Sequence, residues 1–208
     1  MNGTRTTEGS KEFHSRVLQV ALADVGKVAE IKGPEDHPKI ELAHAITKIE
    51  SGLVQKPNSD EIPWCSSIMN LWHLIAGARM NPGQVFRWLA ERNQTHLFFR
   101  IMAYAHPTWR NISEAEKEAY KTMNSGLWIP KPTFSAWARS WEDWGFPVPT
   151  KDAQVGDMAV FIRDGGGHIA IFMKMGWTTV TVVGGNQNNE VCSADWYART
   201  RLIGIRRA

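Results

Sequence analysis

Apolar residues recur at helical spacing through the first half of the chain. After Ser10, which suits a helix N-cap, apolar positions follow one another every three or four residues and predict a helix over 10–25. The same pattern predicts a second helix over 38–49 and a third that begins at Cys65. Between these two, residues 51–63 are rich in Gly, Pro, Asn and Ser, which predicts a loop.

Helical patterns continue further along the chain. They predict a helix over 84–92, a helix over 95–105, and a helix that begins at Ser113, where Glu116 completes a capping box. A further amphipathic helix is predicted over 134–144, before Gly145.

The pattern changes to strands after residue 149. Strands are predicted over 158–163, 168–175, 178–184 and 202–206, and glycines separate them as in an antiparallel meander. Because the helices precede the strands, this order predicts an α+β fold in which the helix that begins at Cys65 packs on the sheet. We expect residues 1–10 to be disordered and residues 11–208 to form a single domain.

The composition suits one domain with a sizeable core. Of 208 residues, 43% are hydrophobic and 22% are charged, which argues against global disorder. The formal charge of +3 is small and the basic residues are scattered, so we expect no nucleic-acid partner. There are ten tryptophans; most are expected in the core, and a minority are expected to line a groove for a sugar or peptide.

The sequence contains no recognisable secretory or membrane-spanning segment. Residues 1–11 are polar and lack the apolar stretch of a signal peptide, and no apolar run approaches the ~20 residues that span a bilayer. We therefore expect cytoplasmic synthesis without stable membrane insertion, so that any work outside the cell requires release or delivery by another route. Only Cys65 and Cys192 are present, which is too few for a disulfide framework.

Cys65 and His168 together suit a thiol nucleophile and its base. The first turn of a helix presents free N–H groups and the positive end of the helix dipole, both of which favour a thiolate. That effect is worth at most ~2 kcal/mol, so a neighbouring imidazole must supply the rest. His168 follows three glycines at the start of a predicted strand. Asn186, at the end of the next strand, is the first choice for the group that orients the imidazole, with Gln187 as its rival and Asn188 as a further alternative.

These motifs occur in an order that resembles a known enzyme family. They are Glu61-Ile62-Pro63-Trp64-Cys65-Ser66, Ala138-Arg139-Ser140-Trp141, Gly156-Asp157, Gly167-His168-Ile169, Gly184-Gly185-Asn186-Gln187 and Trp196-Tyr197. Over most of residues 15–207 the series resembles the CHAP-like branch of the NlpC/P60 cysteine peptidases, in particular small proteins of bacteriophages and prophages. The resemblance implies a papain-like fold, with the nucleophile at a helix N-terminus packed on an antiparallel sheet. It also implies Cys65 as nucleophile, His168 as base and Asn186 as third catalytic residue.

Two departures from the family pattern bear on the site. Similar proteins pass from the cysteine helix to the Ala138 motif through a short loop, whereas here a helical insertion at about 82–132 intervenes. We expect this insertion to pack beside the cleft. Members of the family also often have an acidic residue in the third catalytic region, where this chain has Gly184, Asn186 and Gln187.

Substrate contacts are expected from residues that flank the catalytic positions. They are Glu61, Trp64, Trp137, Gly167 and Gln187. For Glu61, a local structural role such as capping of the cysteine helix is the favoured alternative. No cofactor or metal is expected, because the acidic residues are too dispersed for a calcium site.

The activity that the resemblance implies is hydrolysis of amide bonds in peptidoglycan. We expect an amidase or endopeptidase that acts on the stem peptide through an acyl-enzyme intermediate, as a monomeric phage endolysin with holin-dependent release. An injected antibacterial effector with the same chemistry fits the same residues. From other classes, the alternatives are a non-catalytic virion or wall-binding module and cysteine-dependent transfer on a cytosolic protein.

Overall fold

A computed structural model describes residues 7–31, 37–48 and 63–208 as an α+β fold. Its α-helices are α1 (Thr7–Asp24), α2 (Pro38–Thr47), α3 (Cys65–Met80), α4 (Pro82–Ala90), α5 (Phe98–Ala105) and α6 (Glu114–Thr122). Short 3-10 helices lie at Thr95–Leu97, Trp109–Asn111, Ala138–Asp143, Thr150–Asp152 and Arg199–Arg201. The strands are β1 (Phe146–Pro147), β2 (Met158–Arg163), β3 (Gly166–Met175), β4 (Thr179–Gln187), β5 (Glu190–Ala198) and β6 (Leu202–Arg207).

The N-terminal segment differs in part from the sequence prediction. Of the residues predicted to be disordered, 1–6 lie outside the described residues, and 7–10 form the first turn of α1. In the part of the chain that the structure describes, no helix combines the length and apolarity needed to cross a bilayer.

The described strands form one antiparallel sheet in the order β1-β6-β2-β3-β4-β5. The sheet curls so strongly that separate strands meet across its inner face. The rings of Phe161 on β2 and Tyr197 on β5 lie 4.8 Å apart, although β3 and β4 run between those two strands. These rings and Phe172 belong to a small core inside the curl, distinct from the larger core between the other face and the helices.

The sequence pattern did not predict β5. Its buried side chains are Val191, Ala194 and Tyr197, which recur every three residues instead of every two. The register between β4 and β5 shifts at two irregularities, one of them between Gly184 and Gln187. Because such irregularities break the alternation of inward and outward side chains, the segment lacks the usual strand signature.

Helix α3 lies at the centre of the larger core. Every residue of α3 except Arg79 is buried, and the helix packs against α1, α2, α5 and the sheet. A buried polar group ties the first helices to it: Asp24 accepts from Lys39 Nζ at 2.6 Å and from Trp72 Nε1 at 2.8 Å. Since both carboxylate oxygens have a donor, the buried charge of Asp24 is compensated.

The helical insertion packs on the far helices. Its α4 and α5 contact α3, and Gln94 Nε2 donates to the carbonyl oxygen of Ala45 in α2 at 2.8 Å. The predicted capping box of α6 is confirmed, because the Ser113 side chain accepts from the N–H of Glu116 and the Glu116 carboxylate accepts from the N–H of Ser113. The insertion therefore extends the helical layer.

The helix predicted over 134–144 is wrong in its first half. Phe134 has a φ of 55°, and the helical residues are those of the 3-10 helix Ala138–Asp143. Side chains of α3 bind the backbone of this segment instead: Asn70 Oδ1 accepts from the N–H of Phe134 at 2.6 Å, and Ser66 Oγ donates to the carbonyl oxygen of Ser135 at 2.6 Å. Backbone groups held in this way are not free to form a helix.

Buried histidines make stability depend on pH. Burial lowers the pKa of both His73 and His168 to about 3, so both are neutral in the folded protein, whereas an unfolded histidine has a pKa of about 6.5. The unfolded state therefore binds more protons between these values. As far as these histidines are concerned, we expect the free energy of unfolding to be at its maximum above pH 6.5. Below that value it should fall toward pH 3 by roughly 1.4 kcal/mol per pH unit for each histidine.

His73→Phe tests this with urea unfolding at several pH values. Phenylalanine keeps an aromatic ring against Trp141, whose ring centroid lies 4.8 Å from that of His73. We expect the pH dependence of this variant to be shallower than that of wild type by about one histidine. His96→Phe, the same change at an exposed position, is the control and should keep the wild-type slope. An unchanged slope in His73→Phe would contradict the prediction.

Candidate active site

The first turn of α3 is seated directly on the main chain of β4. Trp64, which precedes the helix, is fully buried, and its Nε1 donates to Glu30 Oε1 at 3.0 Å. On its other side the indole covers Gly185: a Cβ built on that glycine would lie 2.4 Å from the Trp64 ring and 2.5 Å from Ile68 Cγ2. Only a glycine allows this approach, and it determines where the helix N-terminus lies.

Strands β3 and β4 separate beside that contact. Their pairing runs from Met175↔Val180 to Ile171↔Val183, while beyond this point β3 pairs with β2 alone and β4 pairs with β5. The N–H of Ile169 therefore remains free of the β4 ladder. This N–H acts on the sulfur of Cys65 and lowers the thiol pKa.

Cys65 has the surroundings of an anion site, although burial opposes ionisation. Its own N–H and that of Ser66 also lower the thiol pKa, as does the positive charge of Arg163. Burial is the largest effect, however, and raises the pKa of Cys65 above the ordinary value. The resting thiol is therefore neutral and only 3% exposed.

His168 lies inside the curled sheet, one residue before Ile169. Its ring stacks on Tyr197 with centroids 4.8 Å apart and an interplanar angle of 8°, and it is fully buried. Burial, followed by the charge of Arg163, lowers the pKa of His168 to about 3. Within the described residues, neither ring nitrogen has a partner that meets the distance and angle of a hydrogen bond. The imidazole and the Cys65 thiol are therefore not hydrogen-bonded to each other.

Of the amides considered from the sequence, Gln187 is the one whose side chain acts on the imidazole. Its side chain faces the His168 ring and raises the pKa of that ring, although the Oε1 atom does not reach full hydrogen-bond geometry. Its Nε2 donates to the carbonyl oxygens of Gly184 at 3.1 Å and Cys192 at 2.6 Å, which holds the oxygen in place. Asn186, with a φ of 56°, lines the cleft beside Cys65 instead.

A cleft of about 280 Å³ opens at Cys65. Its walls come from Pro63 and Cys65, from residues 136–138, from residues 163–167 and from Asn186. None of these belongs to the helical insertion, which was expected to pack beside the cleft. Trp137 is 55% exposed and lies next to the glycines that precede His168, since a Cβ built on Gly166 would be 3.9 Å from its ring.

The other residues expected to bind substrate fall into different places. Gly167 and Trp137 line the cleft, whereas Gln187 is buried beside His168. Trp64 is buried under Gly185 and is not among the lining residues, because its ring supports the helix. Glu61 lies outside the described residues.

Sequence reasoning missed Arg163 and Tyr197 as members of the site. Arg163 ends β2, lines the cleft and donates to the Tyr197 hydroxyl at 3.0 Å. The available signal was positional: Arg163 is a charged residue at the end of an otherwise apolar strand, immediately before the turn that leads to His168. Tyr197 was part of the motif series but received no role, since only the curl of the sheet brings β5 to β2.

Comparisons with protein-family models, with curated proteins and with solved structures find no match to this chain. Across the described ranges, no three His, Cys, Asp or Glu side chains come together as metal ligands. Both cysteines are free thiols. The chemistry of the site is therefore argued from its own geometry: a thiol at a helix N-terminus, backbone N–H donors around it, and an imidazole and amide on the adjoining strands.

Gly185→Ala should displace the first turn of α3. The added methyl group would overlap Trp64 and Ile68, and overpacking of this kind costs about 1–3 kcal/mol or more. We expect a lower urea midpoint and faster alkylation of Cys65 by iodoacetamide, read by peptide mass spectrometry. Gly204→Ala is the control, because the nearest atom to its new methyl group would be Arg206 Nε at 3.9 Å. Equal behaviour of the two variants would contradict this account of the contact.

Proposed function

We propose that the chain is a cysteine-dependent peptidoglycan hydrolase, an amidase or endopeptidase of the phage endolysin type. In this proposal Cys65, His168 and a side-chain amide have a papain-like arrangement. The observation that carries the proposal is the position of the Cys65 sulfur: it lies at the N-terminus of a buried helix, at the wall of an open cleft, with three backbone N–H groups acting on it.

Several features support a nucleophilic role for Cys65. Backbone donors at a helix N-terminus stabilise negative charge on sulfur and, during reaction, on an oxygen bound beside it. His168 lies on β3, whose Ile169 N–H acts on the sulfur, and Gln187 faces the ring from the next strand. Nucleophile, imidazole and amide thus come from three elements that meet at the separation of β3 and β4.

The proposed reaction proceeds through a thioester. Cys65 Sγ attacks the carbonyl carbon of an amide while His168 takes the thiol proton, and backbone N–H groups near Cys65 stabilise the oxyanion. His168 then gives the proton to the leaving amine as the C–N bond breaks. Water, deprotonated by His168, attacks the thioester and releases the carboxylic acid and the thiol. Gln187 accepts from the imidazole and keeps its orientation during both steps.

The resting site determines when the proton moves. Because burial raises the pKa of the thiol and lowers that of the imidazole, both groups are neutral before substrate binds. In the proposed mechanism, proton transfer therefore accompanies attack on the carbonyl instead of preceding it. The developing charge on sulfur and oxygen is then met by N–H dipoles that are already in place.

A non-catalytic wall-binding module with the same fold is the second candidate. The observation that favours it is the neutral and buried state of both groups, since an imidazole with a pKa of about 3 is a weak base. A module of this kind would bind wall polymer through the cleft and Trp137 without cleaving it.

Cys65→Ala separates the two candidates. Purified sacculi of several wall chemistries are incubated with wild type or variant, and turbidity and soluble muropeptides are measured. For a hydrolase we expect wild type to release new fragments, the variant to be slower by ~10³ or more, and binding to sacculi to survive in both. The masses of the released fragments identify the bond that is cleaved. Binding without fragments from wild type would instead support the wall-binding module.

Gln187→Met tests the amide at the imidazole. The loss of an orienting acceptor should slow hydrolysis by roughly a hundredfold, and the lost Nε2 hydrogen bonds should cost about 1–3 kcal/mol of stability. Rates are therefore compared at a temperature where circular dichroism shows the variant folded. Asn186→Gly suits the positive φ of that position and should stay within about threefold of wild type. The reverse order of effects would assign the orienting role to Asn186.

A further inference from the structure

Arg163 occupies an unusual position for a charged side chain. It lies at the end of β2, is half-buried and lines the cleft that contains Cys65. Its guanidinium donates to the Tyr197 hydroxyl at 3.0 Å and lies 5.7 Å from the centre of the Tyr197 ring. Tyr197 thus holds the guanidinium at the cleft and uses one of its five N–H donors.

Arg163 has no acidic counterpart in residues 7–31, 37–48 and 63–208. The salt bridges of that part of the chain do not include it, and the adjacent Asp164 faces solvent with its side chain 96% exposed and 3.6 Å from Arg201. A half-buried guanidinium without a carboxylate loses hydration and gains no ion pair. Such a group is well suited to an anionic ligand.

The position of Arg163 also determines where a ligand anion would lie. Its charge lowers the pKa of the Cys65 thiol and that of the His168 imidazole, so it acts on both members of the proposed catalytic pair. An anion held by Arg163 would therefore lie close to the carbonyl that Cys65 attacks. Asp164 also borders the cleft, which favours a ligand with one negative charge over one with two.

We infer that Arg163 is a carboxylate-binding residue of the cleft, and that the preferred substrates carry a free carboxylate next to the scissile amide. The claim about substrates rests on the proposed function, whereas the claim that Arg163 binds a carboxylate does not. The planar guanidinium matches a carboxylate through paired N–H···O hydrogen bonds, which a carboxamide cannot reproduce. Peptides whose flanking carboxylate is amidated are therefore poor ligands.

Binding and cleavage are measured separately. A soluble wall stem peptide is prepared with its side carboxylates free or converted to carboxamides, and each form is titrated by calorimetry into Cys65→Ala. We expect the free carboxylate to bind at least about tenfold more tightly, since a hydrogen bond to a charged partner is worth that factor or more. Adding Arg163→Gln should reduce the ratio to near one by weakening only the carboxylate form. Arg199→Gln, the same loss of charge at an exposed position outside the cleft, should leave the ratio unchanged.

The cleavage arm uses the same two peptides with Cys65 present. We expect kcat/KM to show the same preference in wild type. Arg163→Gln should slow cleavage of the carboxylate form more than cleavage of the carboxamide form, so that the preference is lost. Equal slowing of both peptides by Arg163→Gln would overturn the inference, because it would assign Arg163 to support of the thiolate. Equal binding of the two forms by Cys65→Ala would overturn it as well. A binding preference that depends on Arg163, in a wild type that cleaves neither peptide, would support the carboxylate site and refute the hydrolase.

Discussion

The contact between Trp64 and Gly185 is the constraint on which the cleft depends. The indole packs against the backbone of β4, and Glu30 holds its Nε1 on the opposite side. Beyond the Ile171↔Val183 pair, β4 no longer pairs with β3 and continues beside β5 alone. The N–H of Ile169 therefore has no partner on β4 and acts on the Cys65 sulfur instead. A side chain at position 185 would separate helix and sheet, so the site requires a residue without a Cβ.

Polar groups of α3 hold the segment that leads into the cleft wall at residues 136–138. Ser66 and Asn70 bind backbone groups of Phe134 and Ser135, and the Trp141 indole donates to Ser66 Oγ at 2.9 Å. These hydrogen bonds satisfy buried polar atoms and at the same time hold an extended segment beside the helix N-terminus. The same helix therefore supplies the candidate nucleophile from its first residue and positions the wall from its first two turns.

Electrostatics in the site are dominated by desolvation. Backbone N–H groups and Arg163 both favour a thiolate, yet burial outweighs them and raises the pKa of Cys65, while it lowers the pKa of His168 to about 3. The thiol and imidazole are thus neutral and buried, and among the described residues that line the cleft Arg163 is the cation. A bound anion would change this balance, because it would compensate Arg163 at the point where the thiol and imidazole are most sensitive to charge.

The sequence by itself determined the order of elements and singled out the two groups of the proposed catalytic pair. Helical periodicity predicted α1 to α6, and branched residues predicted β2 to β4 and β6, because such local patterns record burial on one face of one element. Cys65 and His168 were singled out by their positions at the starts of a predicted helix and a predicted strand. Only the tertiary structure decided three other features. They are the choice of Gln187 as the amide that faces the imidazole, the 3-10 conformation near Trp141, and the approach of Arg163 to Tyr197. Each of these depends on the curl of the sheet or on side chains of α3 that are distant in sequence, and no local pattern encodes such contacts.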